Sequence, residues 1–93
     1  TLAIVPDDAV FEKTISNIEE IKARKGPVIA IATTGNTQIK ELADDVLWIP
    51  KAIEPMAAIL AIIPMQLLAY YVGVAKGYNV DRPRNLAKSV TVE

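Results

Sequence analysis

Ninety-three residues with a formal charge of −1 make at most one small domain, and they carry no excess of Lys and Arg for tracking a phosphate backbone, which excludes nucleic acid. The absence of Cys and His excludes disulfides, thiolate metal sites, a Cys nucleophile and any imidazole acid or base, so a Ser-His-Asp triad cannot form. Apolar residues make up 52% of the chain; a chain this short buries only about 60–65% of its surface, so such a composition implies apolar faces that something else covers.

Leu2 to Val5 is a short apolar run stopped by Pro6, the pattern of a strand buried on both faces. Asp7 and Asp8 offer an N-cap and negative charge to a following helix. On that helix Val10, Phe11, Ile15, Ile18 and Ile21 share one arc, and Glu12, Lys13, Glu19, Glu20 and Lys22 lie off it. Lys22, Arg24 and Lys25 occupy its last turn, and Gly26-Pro27 ends it. Residues 28–32 read as a second buried strand, followed by the loop Thr33-Thr34-Gly35-Asn36. A short helix is expected over Gln38 to Ala43, and a third strand over Val46 to Ile49, ended by Pro50. Strands alternating with helices through short loops imply right-handed crossovers and a parallel sheet.

Glu54-Pro55 opens a long apolar helix from Met56 to Ala75, closed by Lys76-Gly77. Its length approaches the roughly 20 residues of a membrane span. Pro64, Gln66, the many Ala residues and its place after three βα elements favour a helix buried in a larger assembly. Pro64 is expected to kink it by displacing the carbonyl four residues back.

The last stretch, Asp81-Arg82-Pro83-Arg84-Asn85-Leu86-Ala87-Lys88-Ser89-Val90-Thr91-Val92-Glu93, resembles the closing peptide of glucosamine-6-phosphate synthases almost letter for letter. Pro64-Met65-Gln66-Leu67-Leu68-Ala69-Tyr70-Tyr71 is similar to the last helix of that family, and Asn17-Ile18-Glu19-Glu20 lies in a similar helix. The resemblance covers essentially the whole chain. It implies a sugar-phosphate isomerase (SIS) fold: a three-layer, flavodoxin-like α/β domain with a parallel sheet. Residues 1–78 would form the C-terminal portion, with three strands, and residues 79–93 would form a tail closing the sugar-phosphate site. Two further strands are expected before Thr1.

The implied activity is conversion of fructose-6-phosphate and glutamine-derived ammonia to glucosamine-6-phosphate. The implied partners are a glutaminase domain, a first SIS repeat and a second copy in a homodimer, in the cytoplasm, with neither metal nor cofactor and with no contact to membrane. In the family the lysine of the terminal Asn-Leu-Ala-Lys-Ser stretch sits at the sugar carbonyl and is associated with ring opening and an imine to the open-chain ketose. That lysine corresponds to Lys88, and Ala87 would lie against the sugar through its backbone. The family's general-base glutamate and ring-opening histidine would precede Thr1, so these 93 residues alone are expected to be inactive.

On chemistry alone Lys88 is an ordinary tail lysine. An imine-forming amine must be neutral, against a usual pKa of about 10.4; Arg84, four residues back, is one neighbouring charge. The other candidates are weaker. A loop such as Thr33–Asn36 after a parallel strand could cradle a phosphate, but the family's phosphate grip belongs to the other repeat, which favours a plain turn. Glu54-Pro55 reads as a helix entry, Asp44-Asp45 as solvated carboxylates rather than a metal site, Trp48 as core, and Tyr70-Tyr71 as packing against the rest of the enzyme. The alternative to the catalytic reading is an SIS segment that binds sugar phosphate, or serves assembly, without activity of its own.

Overall fold

A computed structural model describes residues 1–82. Three strands, β1 (Leu2–Val5), β2 (Ile29–Thr33) and β3 (Asp45–Ile49), alternate with three helices, α1 (Phe11–Ala23), α2 (Thr37–Leu42) and α3 (Glu54–Ala75). The strands form one parallel sheet in the order β1-β2-β3, with Ala3 opposite Ala30 and Ile31 opposite Leu47.

Because side chains alternate across a strand, the apolar strands feed two cores. On one face Val5, Ala30 and Ala32 pack with Ile15 and Ile18 of α1 and Ile39 of α2; on the other, Ile31 and Ile49 pack with Ala61 of α3. This is the three-layer α/β arrangement that the alternation of elements implies. Ile18, Ile31, Ile39, Val5 and Val28 are the largest fully buried side chains, each worth about 1.5–3 kcal/mol of burial.

Several boundaries differ from the sequence reading, among them β3 starting at Asp45 rather than Val46 and α2 ending at Leu42 rather than Ala43; four differences have a local reason. Asp7 and Asp8 do not cap α1. Its N-cap is Val10, which makes no side-chain cap, because the Asp8 carboxylate accepts the Val10 N–H and the Asp7 carboxylate accepts from Asn36. β2 starts at Ile29 rather than Val28, since the Val28 N–H is taken by Asp44 Oδ2 at 2.7 Å. α2 starts one residue early, at Thr37, because Asn36 caps it by accepting the Ile39 N–H at 3.1 Å. α3 starts at Glu54, with Pro55 in its first turn, and runs unbroken through Pro64.

The close of α1 at Gly26-Pro27 involves two residues with different roles. The left-handed residue is Lys25, at φ 60°, while Gly26 provides close approach. A Cβ at Gly26 would lie 2.7 Å from Ile21 Cγ2 and 3.1 Å from the Ile21 carbonyl oxygen. Ile21 is stiff at its branched carbon, so it cannot swing away. Gly26→Val is expected to destabilise the fold by about 1–3 kcal/mol, read as a fall in the urea midpoint.

α3 touches the sheet over β2 and β3, and Ala57 and Ala61 are its buried residues. Ile59, Ile62, Ile63, Leu67, Tyr70 and Tyr71 along it are exposed, as are Leu2 and Ile4 on β1. Within the described residues α3 is therefore a helix laid on the sheet through Ala57 and Ala61, with Leu60 and Met65 partly buried beside them and large apolar side chains exposed along the rest.

Candidate functional site

The carboxyl ends of parallel strands are where open α/β sheets hold ligands, and a cleft lies there. Its volume is about 300 Å³. Pro6, Asp7 and Asp8 line it after β1, Thr33 after β2, and Lys51 after β3; Glu54, Ala57 and Ala61 of α3 form the far wall. The small alanines leave the space open, and Ile4, Ile62 and Met65 make its floor apolar.

A hydrogen-bond web fixes this edge. Thr33, the one buried polar residue among those described, accepts the Asp7 N–H on its hydroxyl at 3.0 Å. Asn36 Nδ2 donates to Asp7 Oδ1 at 2.8 Å while its carbonyl caps α2. Thr34 donates to the Ile49 carbonyl from both its N–H, at 2.8 Å, and its hydroxyl, at 3.0 Å. Thr34 and Asn36 thus spend their side-chain donors on neighbouring segments, which agrees with the reading of Thr33–Asn36 as a plain turn. The cleft's charged groups are Asp7, Asp8, Glu54 and Lys51, three carboxylates against one ammonium. This rim is net negative and disfavours an anionic group such as a phosphate.

Glu54 is in the first turn of α3 beside Pro55, as a helix entry should be, and its carboxylate favours the positive helix end. Asp44 departs from the solvated reading. It accepts two bonds from Lys22 Nζ, at 2.7 and 2.8 Å, and one from the Val28 N–H, so it clamps α1 to the start of β2. No group of three or more metal-ligating side chains occurs among the described residues. Trp48 is not core: it is 42% exposed on the outer strand β3, beside Lys40 and the Thr34–Thr37 turn. Tyr70 and Tyr71 meet edge to face at 5.4 Å, and both are exposed. Lys88 and Ala87 lie outside the described residues. Of the cleft residues, Asp7 was read as a helix cap and Lys51 was not singled out in the sequence; the signal was their position just after apolar strands.

Asp44 makes stability depend on acid. The hydrogen bond from Lys22, then that from the Val28 N–H, hold its carboxyl below the usual 3.8. A carboxyl whose folded pKa is depressed contributes above its unfolded value, and that contribution fades as pH falls through the folded one. The clamp's contribution is thus complete well above pH 3.8 and fades as pH falls below that value through the lower folded one. Asp44→Asn is expected to lower the urea midpoint at pH 7, and its difference from the parent protein should shrink progressively as pH falls below about 3.8.

The SIS domain family matches residues 3–76, a span that takes in β2, β3 and all three helices and all but the first residue of β1. Among curated proteins the chain is 51% identical over 92 residues to the isomerizing glutamine–fructose-6-phosphate aminotransferase of Caldanaerobacter subterraneus, covering 99% of the chain and 15% of that protein. It is 52% identical over 92 residues to that of Chlorobaculum tepidum, again covering 99% of the chain and 15% of the relative. To that of Thermus thermophilus it is 55% identical over 84 residues, 90% of the chain and 14% of the relative. The chain thus spans about 15% of the length of the relatives it matches.

Proposed function

Since the chain belongs to the SIS domain family, we propose that it is the closing segment of the isomerase half of a glutamine–fructose-6-phosphate aminotransferase. In that setting it helps convert fructose-6-phosphate and glutamine-derived ammonia to glucosamine-6-phosphate. The observation that carries this reading is identity of about one residue in two to such enzymes across 99% of the chain, a span that takes in the terminal peptide. Lys88 is then the amine at the sugar carbonyl, and Ala87 lies against the sugar through its backbone.

Two features support this assignment. The acidic cleft rim argues against a phosphate grip in this segment, which leaves that task to the other repeat of a complete isomerase. Without His or Cys, Lys is the nucleophile best suited to a ketose carbonyl. The exposed length of α3 favours a second role in assembly. Among the described residues one helix, α3, is long and apolar enough to cross a membrane; its alanine seam on the sheet, within the matched SIS span, favours packing against protein. The remaining domains and a second copy of a homodimeric, cytoplasmic enzyme would supply the cover.

The test is product formation by the complete protein carrying this sequence. Fructose-6-phosphate with glutamine should yield glucosamine-6-phosphate, and borohydride added with fructose-6-phosphate alone should label a peptide ending the chain. An enzyme that forms no amino sugar, or a label elsewhere, sinks the assignment.

A further inference from the structure

The end of α3 is built to reverse the chain. Gly77 takes a left-handed φ of 75°. Its N–H donates to the Val74 carbonyl at 2.9 Å, and the Tyr78 N–H donates to the Gly73 carbonyl at 2.9 Å. These are the paired bonds of a Schellman turn. Val80 then folds back over the last helical turn at Gly73, where an added Cβ would come within 3.0 Å of Val80 Cγ1. Next, the Asn79 side-chain carbonyl accepts the N–H of Asp81 and of Arg82, both at 3.1 Å, which fixes the backbone in the last residues before the terminal peptide.

A helix stop requires only the first of these three devices. The other two act on residues already outside the helix, and their common effect is on the direction in which Arg82 leaves. Lys88 is six residues further on, a reach of about 20 Å. α3 has 22 residues and is about 33 Å long. A chain continuing along the helix axis could carry Lys88 about 20 Å beyond Arg82, and farther still from the end of α3. A chain turned back at Val80 instead sets out from beside the last turn of α3. The exit direction therefore decides where the amine can be.

We infer that Gly73, Val80 and Asn79 form a launch turn that positions the Lys88 segment for the sugar. They are positioning residues acting through Lys88, and the inference rests on the assignment of Lys88 proposed above.

The test uses the complete enzyme. Asn79→Ala removes the acceptor for two N–H groups, whereas Asn79→Asp keeps an oxygen there; Gly73→Val pushes Val80 off the helix by a separate route. Misplacement of a reacting group by about 1 Å can cost about 100-fold. Asn79→Ala and Gly73→Val are thus expected to lower kcat for glucosamine-6-phosphate, and borohydride labelling of Lys88, by about 10- to 100-fold. The thermal midpoint should stay at that of the parent, and Asn79→Asp should restore most of both losses. Unchanged labelling in Asn79→Ala overturns the inference, as does a loss that Asn79→Asp fails to restore or that tracks a fall in thermal midpoint. Lys88→Ala run alongside separates the two levels. If it keeps the label, the assignment of Lys88 falls and the launch turn with it. If it loses the label while Asn79→Ala does not, only the launch turn falls.

Discussion

Lys88→Ala in the complete protein is expected to abolish the borohydride label and to lower amino-sugar synthesis by about 10²–10⁴-fold, the range typical of removing one positioned proton-transfer or covalent group. The amine attacks the C2 carbonyl of the open-chain ketose, water leaves, and a C=N bond forms. Borohydride adds hydride to that carbon and fixes the sugar to the chain as a secondary amine. An alanine has no electron pair to offer, so neither the adduct nor its reduction can occur. Lys88→Arg sharpens the result. It keeps a positive charge in the same stretch but has a guanidinium that stays protonated. If the role of Lys88 is covalent, Arg is as poor as Ala; if it is only to hold an anion, Arg retains much of the activity. Normal synthesis by Lys88→Ala would end the catalytic reading while leaving the SIS fold untouched.

The fold was legible because its punctuation is backbone chemistry. Pro6 and Pro50 end strands by lacking a donor, Gly77 ends α3 through a left-handed φ, and the unbroken apolar runs of β1 and β2 announce a parallel sheet, although β1, expected to be buried on both faces, leaves Leu2 and Ile4 exposed. What the sequence concealed are pairings between residues far apart along the chain. Asp44 claims the Val28 N–H from 16 residues away and shortens β2; Asn36 reaches Asp7 across 29 residues and frees α1 from its expected cap. Neither partner is visible from local propensity, because a carboxylate in a turn looks the same whether water or a distant amide satisfies it. Trp48 was misread for a related reason. Residues in a strand alternate faces in any sheet, but only the strand order tells which strand is outermost, and β3 is. The candidate site divides in the same way. The cleft follows from topology, while Lys88 was legible only through resemblance, since a single lysine in a polar stretch carries no chemical signature.

The polypeptide 1–93 made by itself is expected to self-associate, to dimers or larger species, at micromolar concentration and above. Its radius of gyration is 16.0 Å, against about 12 Å for a compact chain of this length, because α3 extends away from the sheet that covers it. Ile59, Ile63, Leu67 and Tyr71 are each half exposed or more, an apolar face that a monomer in water does not leave bare at this extent. β1 compounds the problem. It is an outer strand of the sheet, with Leu2 at 37% and Ile4 at 43% exposure, so it offers both unpaired backbone groups and an oily face to another chain. Burying the helix face and pairing the strand are distinct routes to association, and substitution separates them. Ile63→Lys with Leu67→Glu should shift sedimentation toward monomer if the helix dominates, whereas Ile4→Lys should do so if the edge does. A parent chain that sediments as a compact, stable monomer would mean that its own residues cover α3. The physical case that this segment is shaped to be covered by the rest of a larger enzyme would then fail with it.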